Sequence, residues 1–520
     1  MFNVRSHLLS ALIAIVLLTA TSVQAGNIQV ANATLVNNDP FNQTVRVQFD
    51  LSWEGSWFGG TVNNWDAAWV FVKYRTTGNS AWQHMPLTYY GHYAPDISLD
   101  PGLLNPTSGY DPSTNPVLGV FAHRNQPGSG TLVVNGVQLN WNYGGLVTGY
   151  ANIAEVQVFA IEMVYVPQGA FAAGSGGTES SAFTLTTINT AAANTAPSGT
   201  GSLGGQAGGY PTGQTAPVAS WPNGFNAFYC MKYEVSQQGY VDFLNTLTYT
   251  QQVTRTATAP NSTAGTGALS STNANRNGID LQTPGVASAT PAVYACNLNG
   301  NTTYGEAADG KDIACNWLNW GDLTAYLDWS GLRPMTELEF EKACRGPLPP
   351  VANEYPWGTT GIAGSAYTLA NAGATNEGIA TDYSTIFGNA ICQVTEGTID
   401  GPVRVGIFAA NSTSSGRITA GASYYGIMEL GGNVYERPVT IGNANGRTYT
   451  GTHGNGTLTA SGDPDGVSWP APTTADGAGL RGAAWSTPSE LLRVSNRFYS
   501  TQSNSARQNN IGSRGVRQAP

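Results

Sequence analysis

Charged residues are scarce in this chain of 520 residues, which holds 22 Lys and Arg, 32 Asp and Glu, and a formal net charge of −10. They make up 10% of the chain, well below the roughly one quarter that is usual in soluble domains. The few basic residues are scattered and form no patch that would attract a nucleic acid. Nucleic-acid binding is therefore excluded, and a neutral surface rich in hydroxyl and amide groups is expected.

Histidine and cysteine are also rare, with five residues of each type. The histidines lie far apart, and no two cysteines have the C-x-x-C spacing of a redox or zinc site. Cys296 and Cys315 bracket the polar segment CNLNGNTTYGEAADGKDIAC, so a disulfide between them is predicted to hold this segment in place. An odd number of cysteines leaves at least one unpaired, and the pairing of Cys230, Cys344 and Cys392 stays open.

One long apolar run is present, and it lies at the N-terminus. The run from Leu8 to Leu18 follows the basic residue Arg5 and precedes a small-residue pattern that ends at Ala25. It is shorter than the roughly 20 residues of a membrane-spanning helix, and the arrangement is typical of a secretory signal peptide. Residues 1–25 are therefore predicted to be cleaved, and the mature chain to be secreted to the cell surface or extracellular space without a transmembrane segment.

Residues 26–161 carry the alternating apolar pattern of β-strands. The pattern is clearest in VRVQFDLSW, and AAWVFVKYR and EVQVFAIEMVYV are further strand candidates. In TLVVNGVQLNW the dipeptide Asn135-Gly136 predicts the turn of a β-hairpin. A β-sandwich is the predicted fold of this region. Its tryptophans are expected to pack in the core and between domains rather than to form a sugar-binding platform.

Residues 162–520 are predicted to form a second domain with few helices and many turns. Helix-capping signals predict three helices, which begin after Ser236, Asn319 and Thr336. Two polar stretches of low complexity, near residues 172–215 and 248–287, are predicted to be surface insertions. They carry too few apolar residues to be expected to order themselves.

The second domain also contains a series of short motifs in a defined order. They are MVYVPQGAF, FYCMKYEVSQQGYVDFLN, WLNWGDLTAYLDWSGLRPMTELEFEKACRG, YPWG, GIMELGGNVYE, LRGAAW and NNIGSRGVR. In this order the motifs resemble the formylglycine-generating enzyme, or sulfatase-modifying-factor, domain family. The resemblance implies a C-type-lectin-like fold rich in irregular structure. The predicted fold class of the chain is therefore α+β, with a β-sandwich followed by a C-type-lectin-like domain.

The resemblance implies a copper(I)-dependent oxidase, but the residues that this chemistry needs are missing. Formylglycine-generating enzymes use two cysteines soon after an RGGSW-type motif, because thiolates are the soft ligands that copper(I) prefers. Here the motif is RGAAW, and the stretch from Ser486 to Leu492 that follows it contains no cysteine. No copper is therefore expected. The chain is predicted not to be an enzyme of this type, and it also lacks the histidine cluster of the related sulfoxide synthases.

No other catalytic set emerges from the sequence. A hydroxyl nucleophile at Ser486 would need a nearby base, and the late histidine His453 has no triad pattern around it. Glu337, Glu339 and Glu341 lie at the start of a predicted helix and are expected to cap it and to face the solvent.

The resemblance also implies a structural calcium site around the GGNVYE motif. The matching positions are Glu429, Gly432, Val434 and Glu436, which would supply two carboxylates and two backbone carbonyls. Oxygen ligands of this kind suit a hard cation, so structural calcium is the predicted cofactor. The alternative is that Glu436 pairs with Arg437 and that Glu429 is solvated.

The sequence is compatible with three functions. The preferred one is an exported, non-catalytic protein that binds a glycan or a protein, or assembles with copies of itself into a layer or filament, which a low charge permits. The second is ligand recognition by a C-terminal surface that resembles the variable proteins of diversity-generating retroelements. Its ligand-facing residues would be Ser486, Thr487, Ser489, Glu490, Asn496, Tyr499 and Ser500. The third is an oxidoreductase of the formylglycine-generating type.

Overall fold

The structure is a computed structural model of the protein, and it describes most of the chain. The described residues are 27–59, 64–79, 81–192, 216–410, 416–466 and 468–520. The predicted signal peptide at residues 1–25 lies outside them, as does the second half of the predicted insertion at 172–215. Within these ranges, no helix combines the length and the hydrophobicity that crossing a bilayer requires.

Strands dominate the described part of the chain, which contains 17 β-strands and five α-helices. The strands are β1 (Gln29–Asp39), β2 (Thr44–Phe58), β3 (Asp66–Thr76), β4 (Gln83–His84), β5 (Ile97–Leu103), β6 (Val117–Arg124), β7 (Gly128–Asn142), β8 (Ile153–Val166), β9 (Phe171–Ala173), β10 (Thr186–Ile188), β11 (Phe228–Met231), β12 (Ile279–Thr283), β13 (Val293–Cys296), β14 (Arg333–Pro334), β15 (Thr368–Ala370), β16 (Gly378–Thr381) and β17 (Gly515–Gln518). The helices are α1 (Gln237–Leu244), α2 (Tyr249–Arg255), α3 (Trp320–Trp329), α4 (Glu337–Arg345) and α5 (Ala444–Arg447). The predicted α+β class is confirmed.

Two sheets pack face to face and form the predicted β-sandwich. The smaller sheet has the strand order β1-β2-β7, and the larger sheet has the order β14-β17-β11-β8-β3-β6-β5 with β4 beside β3. Val47, Phe49 and Trp53 of β2 share a core with Val70 and Val72 of β3. The alternation of apolar side chains along β2 therefore buries one face of that strand, as its sequence pattern predicts.

The predicted hairpin at Asn135-Gly136 is wrong, because both residues lie inside the single long strand β7. This strand pairs with β2 before and after the dipeptide, with a register shift between the two parts. Gly136 has a φ of 72°, and its backbone N–H donates a hydrogen bond to Asp50 Oδ1 at 2.8 Å. The dipeptide that favours a tight turn therefore forms a β-bulge, which needs the same left-handed conformation.

The larger sheet runs through both predicted domains. β8 pairs with β3 from Ile153 to Val164 and with β11 from Met163 to Val166. β17 and β14 continue the sheet on the far side of β11. The boundary expected between residues 161 and 162 thus falls inside one strand, and the two regions are joined by backbone hydrogen bonds rather than by a linker.

The second face of the larger sheet packs against the helices of residues 162–520. Trp69 and Phe71 of β3 lie on this face and share a core with residues of α1 and α3. The indole Nε1 of Trp69 donates to Ser330 O at 2.8 Å, and Lys73 Nζ donates to Trp329 O at 2.7 Å. The packing of tryptophan between the two regions is therefore confirmed at Trp69.

We expect the two regions to unfold in one cooperative transition, because they share a sheet and a core. In urea, tryptophan fluorescence and far-UV circular dichroism should change at the same midpoint. A separate chain of residues 27–161 should aggregate, since it would expose the face of β3 that carries Trp69 and Phe71. Two well-separated transitions in the full chain would contradict this expectation.

The three predicted helices are confirmed together with their caps. The side chain of Ser236 accepts a hydrogen bond from Gly239 N at the start of α1. Capping boxes at Asn319 and Thr336 open α3 and α4, and Gly346 ends α4 with a φ of 66°. Short-range capping signals therefore gave the positions of these helices correctly.

The segment 248–287 is folded, contrary to the expectation that it lacks the apolar residues to order itself. It contains α2, which a capping box at Thr248 opens, and β12, which pairs with β13. Leu269, Ile279 and Leu281 are buried in the core that also contains α1 and α3. Few apolar residues suffice here because they are inserted into a core that other elements have built.

Candidate functional site

The segment that follows the RGAAW motif forms a tight turn over a small core. The backbone N–H of Ala484 donates to Thr487 Oγ1 at 2.9 Å, and this hydroxyl donates to Ala484 O at 2.9 Å. Ser486 Oγ accepts from Asn510 Nδ2 at 3.2 Å, and the side chain of Leu492 is fully buried. Both hydroxyls are thus engaged in holding the local fold.

All five cysteines are free thiols in the interior of the protein. Burial raises the pKa of each thiol, to about 12 for Cys230, and so disfavours the thiolate that binds copper or attacks a substrate. Cys296 and Cys315 lie in the same core. The structure has no disulfide between them, and the bridge stays a prediction.

We expect the native protein to be inert toward a maleimide reagent, because its thiols are buried and protonated. After unfolding without reductant, mass spectrometry should count five labelled cysteines if no bridge exists. Protein secreted into an oxidising medium should show three labelled cysteines if Cys296 and Cys315 pair. A reduced sample is the control and should show five in either case.

The predicted solvated face of α4 is wrong, because its glutamates form ion pairs in the interior. Glu337 accepts hydrogen bonds from Arg497 Nε at 2.8 Å and from Arg481 Nη1 at 2.9 Å. Arg481 Nη2 also donates to Glu341 at 2.9 Å. All four side chains are buried. Burial alone would raise the pKa of Glu337, but the guanidinium groups of Arg497 and Arg481 lower it below its usual value.

Arg481 is also the first residue of the RGAAW motif, so this motif is tied to α4 by buried charge. Its guanidinium joins two glutamates of α4 and donates to Val494 O at 2.7 Å. The turn that begins at Ser486 is therefore positioned by a rigid support. In this chain the contacts of the motif stabilise the fold.

Two of the seven residues predicted to face a ligand lie in the interior. Ser500 is 0% exposed and Asn496 is 7% exposed. The amide of Asn496 donates to Glu490 O at 3.1 Å and accepts from Phe498 N at 3.1 Å. This corrects the prediction for these two residues. Of the others, Glu490 is exposed. Those that are half-buried are Ser486, Thr487, Ser489 and Tyr499.

Phe498, on the same surface, was missed from the sequence, whereas its neighbour Tyr499 was among the predicted residues. Phe498 is 57% exposed, and its ring meets Tyr499 edge to face with centroids 4.7 Å apart. Tyr499 makes a similar contact with Tyr435 at 6.1 Å. Exposed aromatic side chains on a rigid turn are typical of binding surfaces. The signal in the sequence is an aromatic dipeptide within the polar run SNRFYSTQS.

At the position of the predicted calcium site, Glu436 is paired with an arginine other than the neighbouring Arg437. Its Oε1 accepts from Arg514 Nε, and its Oε2 accepts from Ser513 Oγ at 3.2 Å. Both Glu436 and Arg514 are buried. The carboxylate of Glu436 is therefore already neutralised and hydrogen-bonded, which does not suit it as a ligand of a cation.

The side chain of Glu429 is better suited than that of Glu436 to bind a cation. It is buried rather than solvated, and burial raises its pKa to about 7. Its Oε1 accepts from Gly406 N at 2.9 Å, whereas its buried Oε2 has no hydrogen-bond partner. Glu234, which the sequence did not single out, accepts from Val434 N at 3.0 Å and from Asn433 Nδ2 at 2.6 Å. Buried carboxylates thus surround the GGNVYE motif.

Side chains alone do not complete a metal site in the described ranges, where no group of three or more His, Cys, Asp and Glu is arranged to hold an ion. A calcium ion at the GGNVYE motif would therefore need backbone carbonyls, as the resemblance implies for Gly432 and Val434. Glu429 is the side chain that fits this role, because its second carboxylate oxygen is unpartnered.

A cavity of about 680 Å³ lies where the sandwich meets the second region. Its wall includes Arg333 and Glu339, which pair through two hydrogen bonds of 2.9 and 2.6 Å and so offset each other's charge. His453 accepts from Gln518 N at Nε2, and burial keeps its pKa well below the usual value. Amide and hydroxyl groups that line the cavity come from Asn105, Thr107, Ser220, Asn223, Asn226, Thr450, Thr452, Asn455 and Gln518.

Comparisons with known proteins agree with the motif order. A family model described as the sulfatase-modifying factor enzyme 1-like domain matches residues 151–519. Among solved structures, the chain is similar to Treponema denticola variable protein 1, at 12% identity and a TM-score of 0.30, over 69% of this chain and 96% of that chain. No curated protein gives a significant match. The family match begins just before β8 and covers the region that holds every site described above, apart from the sandwich side of the cavity.

Proposed function

The chain belongs to the sulfatase-modifying factor enzyme 1-like domain family, and on this premise we propose that it is an exported, non-catalytic member that uses the domain as a binding scaffold. One observation carries the proposal. The position after the RGAAW motif holds hydroxyls and leucines, and all five thiols of the chain are buried elsewhere. Copper(I) chemistry needs accessible thiolates, and none of these groups supplies one.

Export is supported by the pattern of residues 1–25, and self-association is supported by the distribution of charge. Thirteen of the 22 Lys and Arg residues are buried in the described ranges. Fifteen of the 32 Asp and Glu residues are buried in the same ranges, so the surface carries few charges of either sign and permits close approach of copies. Close packing into a layer or filament is compatible with such a surface.

The cavity between the two regions supports binding of a small, uncharged and polar ligand. Arg333 and Glu339 pair with each other, and the histidine is neutral. A third charged side chain on the wall, Asp465, accepts hydrogen bonds from Asn455 and Thr457. Most of the polar groups offered to a ligand are amides and hydroxyls, and the volume lies in the usual range for ligand pockets. A neutral glycan has the complementary chemistry and is the ligand class that we propose.

Calcium is proposed as a structural ion beside the GGNVYE motif. Glu429 and the backbone carbonyls of Gly432 and Val434 would hold it, and Glu436 would support the site through Arg514. The ion would supply charge that offsets the buried carboxylates. It has no part in any reaction in this proposal.

One measurement tests the non-catalytic assignment, and a second tests self-assembly. The mature protein, residues 26–520, should not oxidise a cysteine-containing peptide in the presence of copper(I) and oxygen, and turnover would overturn the assignment. Light scattering and negative-stain electron microscopy, with calcium and then with a chelator, should show ordered polymers that depend on the ion. A monomer that is indifferent to calcium would remove self-assembly and leave ligand binding.

Glycan binding is tested with an array of neutral oligosaccharides and two matched variants. Asn226→Ala removes an exposed amide from the cavity wall and should weaken binding by about three- to tenfold, the effect of one hydrogen bond. Asn301→Ala removes an exposed amide away from the cavity and should leave affinity unchanged. Equal effects of the two variants would place the ligand elsewhere.

A second candidate function rests on the aromatic pair Phe498 and Tyr499, of which Phe498 is exposed. Phe498, Tyr499 and Glu490 form part of the surface that resembles the variable segment of retroelement proteins. If the ligand binds there, Phe498→Ala should reduce binding by at least tenfold, whereas Asn226→Ala should have no effect. The two variants therefore assign any ligand that is found to one surface or the other.

A further inference from the structure

Three buried side-chain oxygens at the end of β13 have no hydrogen-bond partner. They are the Oδ1 atoms of Asp280, Asn297 and Asp309, whose residues are 1%, 2% and 0% exposed. Most buried polar atoms in folded proteins have a partner. Three unpartnered acceptors on residues that hydrogen bonds bring together therefore indicate a group with positive charge or donor protons between them.

Backbone and side-chain hydrogen bonds hold these three residues together. Asn297 Nδ2 donates to Asp280 Oδ2 at 3.1 Å. The next residue, Leu298, donates from its backbone N–H to Asp309 O at 3.3 Å. Asp309 Oδ2 accepts from Glu306 N at 2.7 Å. One oxygen or nitrogen of each side chain thus fixes its orientation, and the remaining oxygen is free to bind a ligand.

The charge of the cluster is not compensated by the protein. Neither Asp280 nor Asp309 forms an ion pair with a Lys or Arg in the described ranges. Two uncompensated buried carboxylates are costly, and a bound cation would offset both.

We propose that Asp280, Asn297 and Asp309 bind a calcium ion, at a site that is separate from the GGNVYE motif. The three donors are carboxylate and amide oxygens, which are the ligands of hard cations, and the cluster contains no imidazole or thiolate of the kind that zinc prefers. Calcium tolerates irregular geometry and completes its shell with water and backbone carbonyls, whereas magnesium demands a near-ideal octahedron. The irregular loop that supplies Asp309 suits the more tolerant ion.

The ion would fasten the polar segment between Cys296 and Cys315 to the edge of β12. From Asn297 to Asp309 this segment has turns and bends but no helix or strand. Asp280 belongs to β12, and the other two ligands stand at the two ends of the segment. The site would therefore perform the stapling role that the sequence suggested for a disulfide, and it would do so without oxidation.

Counting bound ions tests the proposal on the full mature chain. After equilibrium dialysis against calcium, elemental mass spectrometry should find one ion fewer per chain in Asp309→Ala than in the unmodified protein. Asp96→Asn, which removes an exposed carboxylate of the sandwich, should keep the full count. Glu429→Ala should remove a different ion, so that its effect and that of Asp309→Ala add in the double variant. An unchanged count in Asp309→Ala would overturn the proposal.

A measurement without substitutions covers the case in which the variant does not fold. Hydrogen–deuterium exchange of the unmodified protein should slow at least tenfold in residues 297–309 when calcium replaces a chelator. Peptides from the sandwich, such as those of β2, are the internal control and should exchange at the same rate in both conditions. Equal exchange of residues 297–309 with and without calcium would mean that water, rather than an ion, satisfies the three oxygens.

Discussion

The Arg481→Met variant should lose about 3–5 kcal/mol of unfolding free energy, the usual effect of removing one partner from a buried ion pair. Arg481 bridges Glu337 and Glu341, and the side chains of all three are 0% exposed. Methionine fills much of the same space but carries no charge. The negative charges of Glu337 and Glu341 are then less well compensated. Urea unfolding should show a lower midpoint with an unchanged slope.

The control for this variant is Arg75→Met, which removes a surface ion pair. Arg75 pairs with Glu155, and their side chains are 39% and 47% exposed. Because solvent screens such a pair, its loss should cost less than about 1 kcal/mol. Equal losses of unfolding free energy in Arg481→Met and Arg75→Met would show that the buried ion pairs of Arg481 stabilise the protein no more than a surface ion pair does. A double variant with Glu337→Gln should be less destabilised than the sum of the single variants, since the two positions interact directly.

We also expect the Gly479→Ala variant to be strongly destabilised, because the added methyl group would clash with backbone atoms. A Cβ at residue 479 would lie 1.9 Å from Ser500 O and 2.5 Å from Ser500 C. These are backbone atoms, which cannot move aside as the end of a flexible side chain can. Overpacking of this kind costs about 1–3 kcal/mol or more, so we expect low soluble yield or a Tm many degrees below that of the unmodified protein.

Gly364→Ala is the matched control, because no heavy atom lies within 4 Å of its added Cβ. The residue is exposed, and substitutions at such positions change stability by no more than about 0.5 kcal/mol. Yields and Tm values of the two variants, measured side by side, isolate the contact with Ser500. A Gly479→Ala protein as stable as the Gly364→Ala protein would contradict the close approach of the two backbones.

Local signals in the sequence predicted the local structure well. The caps at Ser236, Asn319 and Thr336 need only the next three or four residues, and all three helices begin where expected. The hairpin failed because Asn135-Gly136 reports a left-handed backbone, which a bulge and a turn both use. Short-range chemistry fixes a conformation but leaves open the element that contains it.

Partners that are distant in the sequence could not be predicted in the same way. Glu337 looked like a solvated helix residue because its partners, Arg481 and Arg497, lie far along the chain. In the wall of the cavity, His453 Nδ1 of the second region donates a hydrogen bond of 3.1 Å to Leu104 O of the sandwich. No periodic pattern links such positions, and only the tertiary fold brings them together.

The strand β8 fixes the orientation of the two regions relative to each other, because it pairs with strands of both. Domains on a flexible tether lose orientational freedom when two surfaces bind at once, and this loss weakens the second contact. Here one continuous sheet has already removed that freedom, so simultaneous contact adds no entropy cost for aligning the regions. Chains joined through both regions would therefore be held in an orientation that the pairing of β8 with β3 and β11 fixes within each chain.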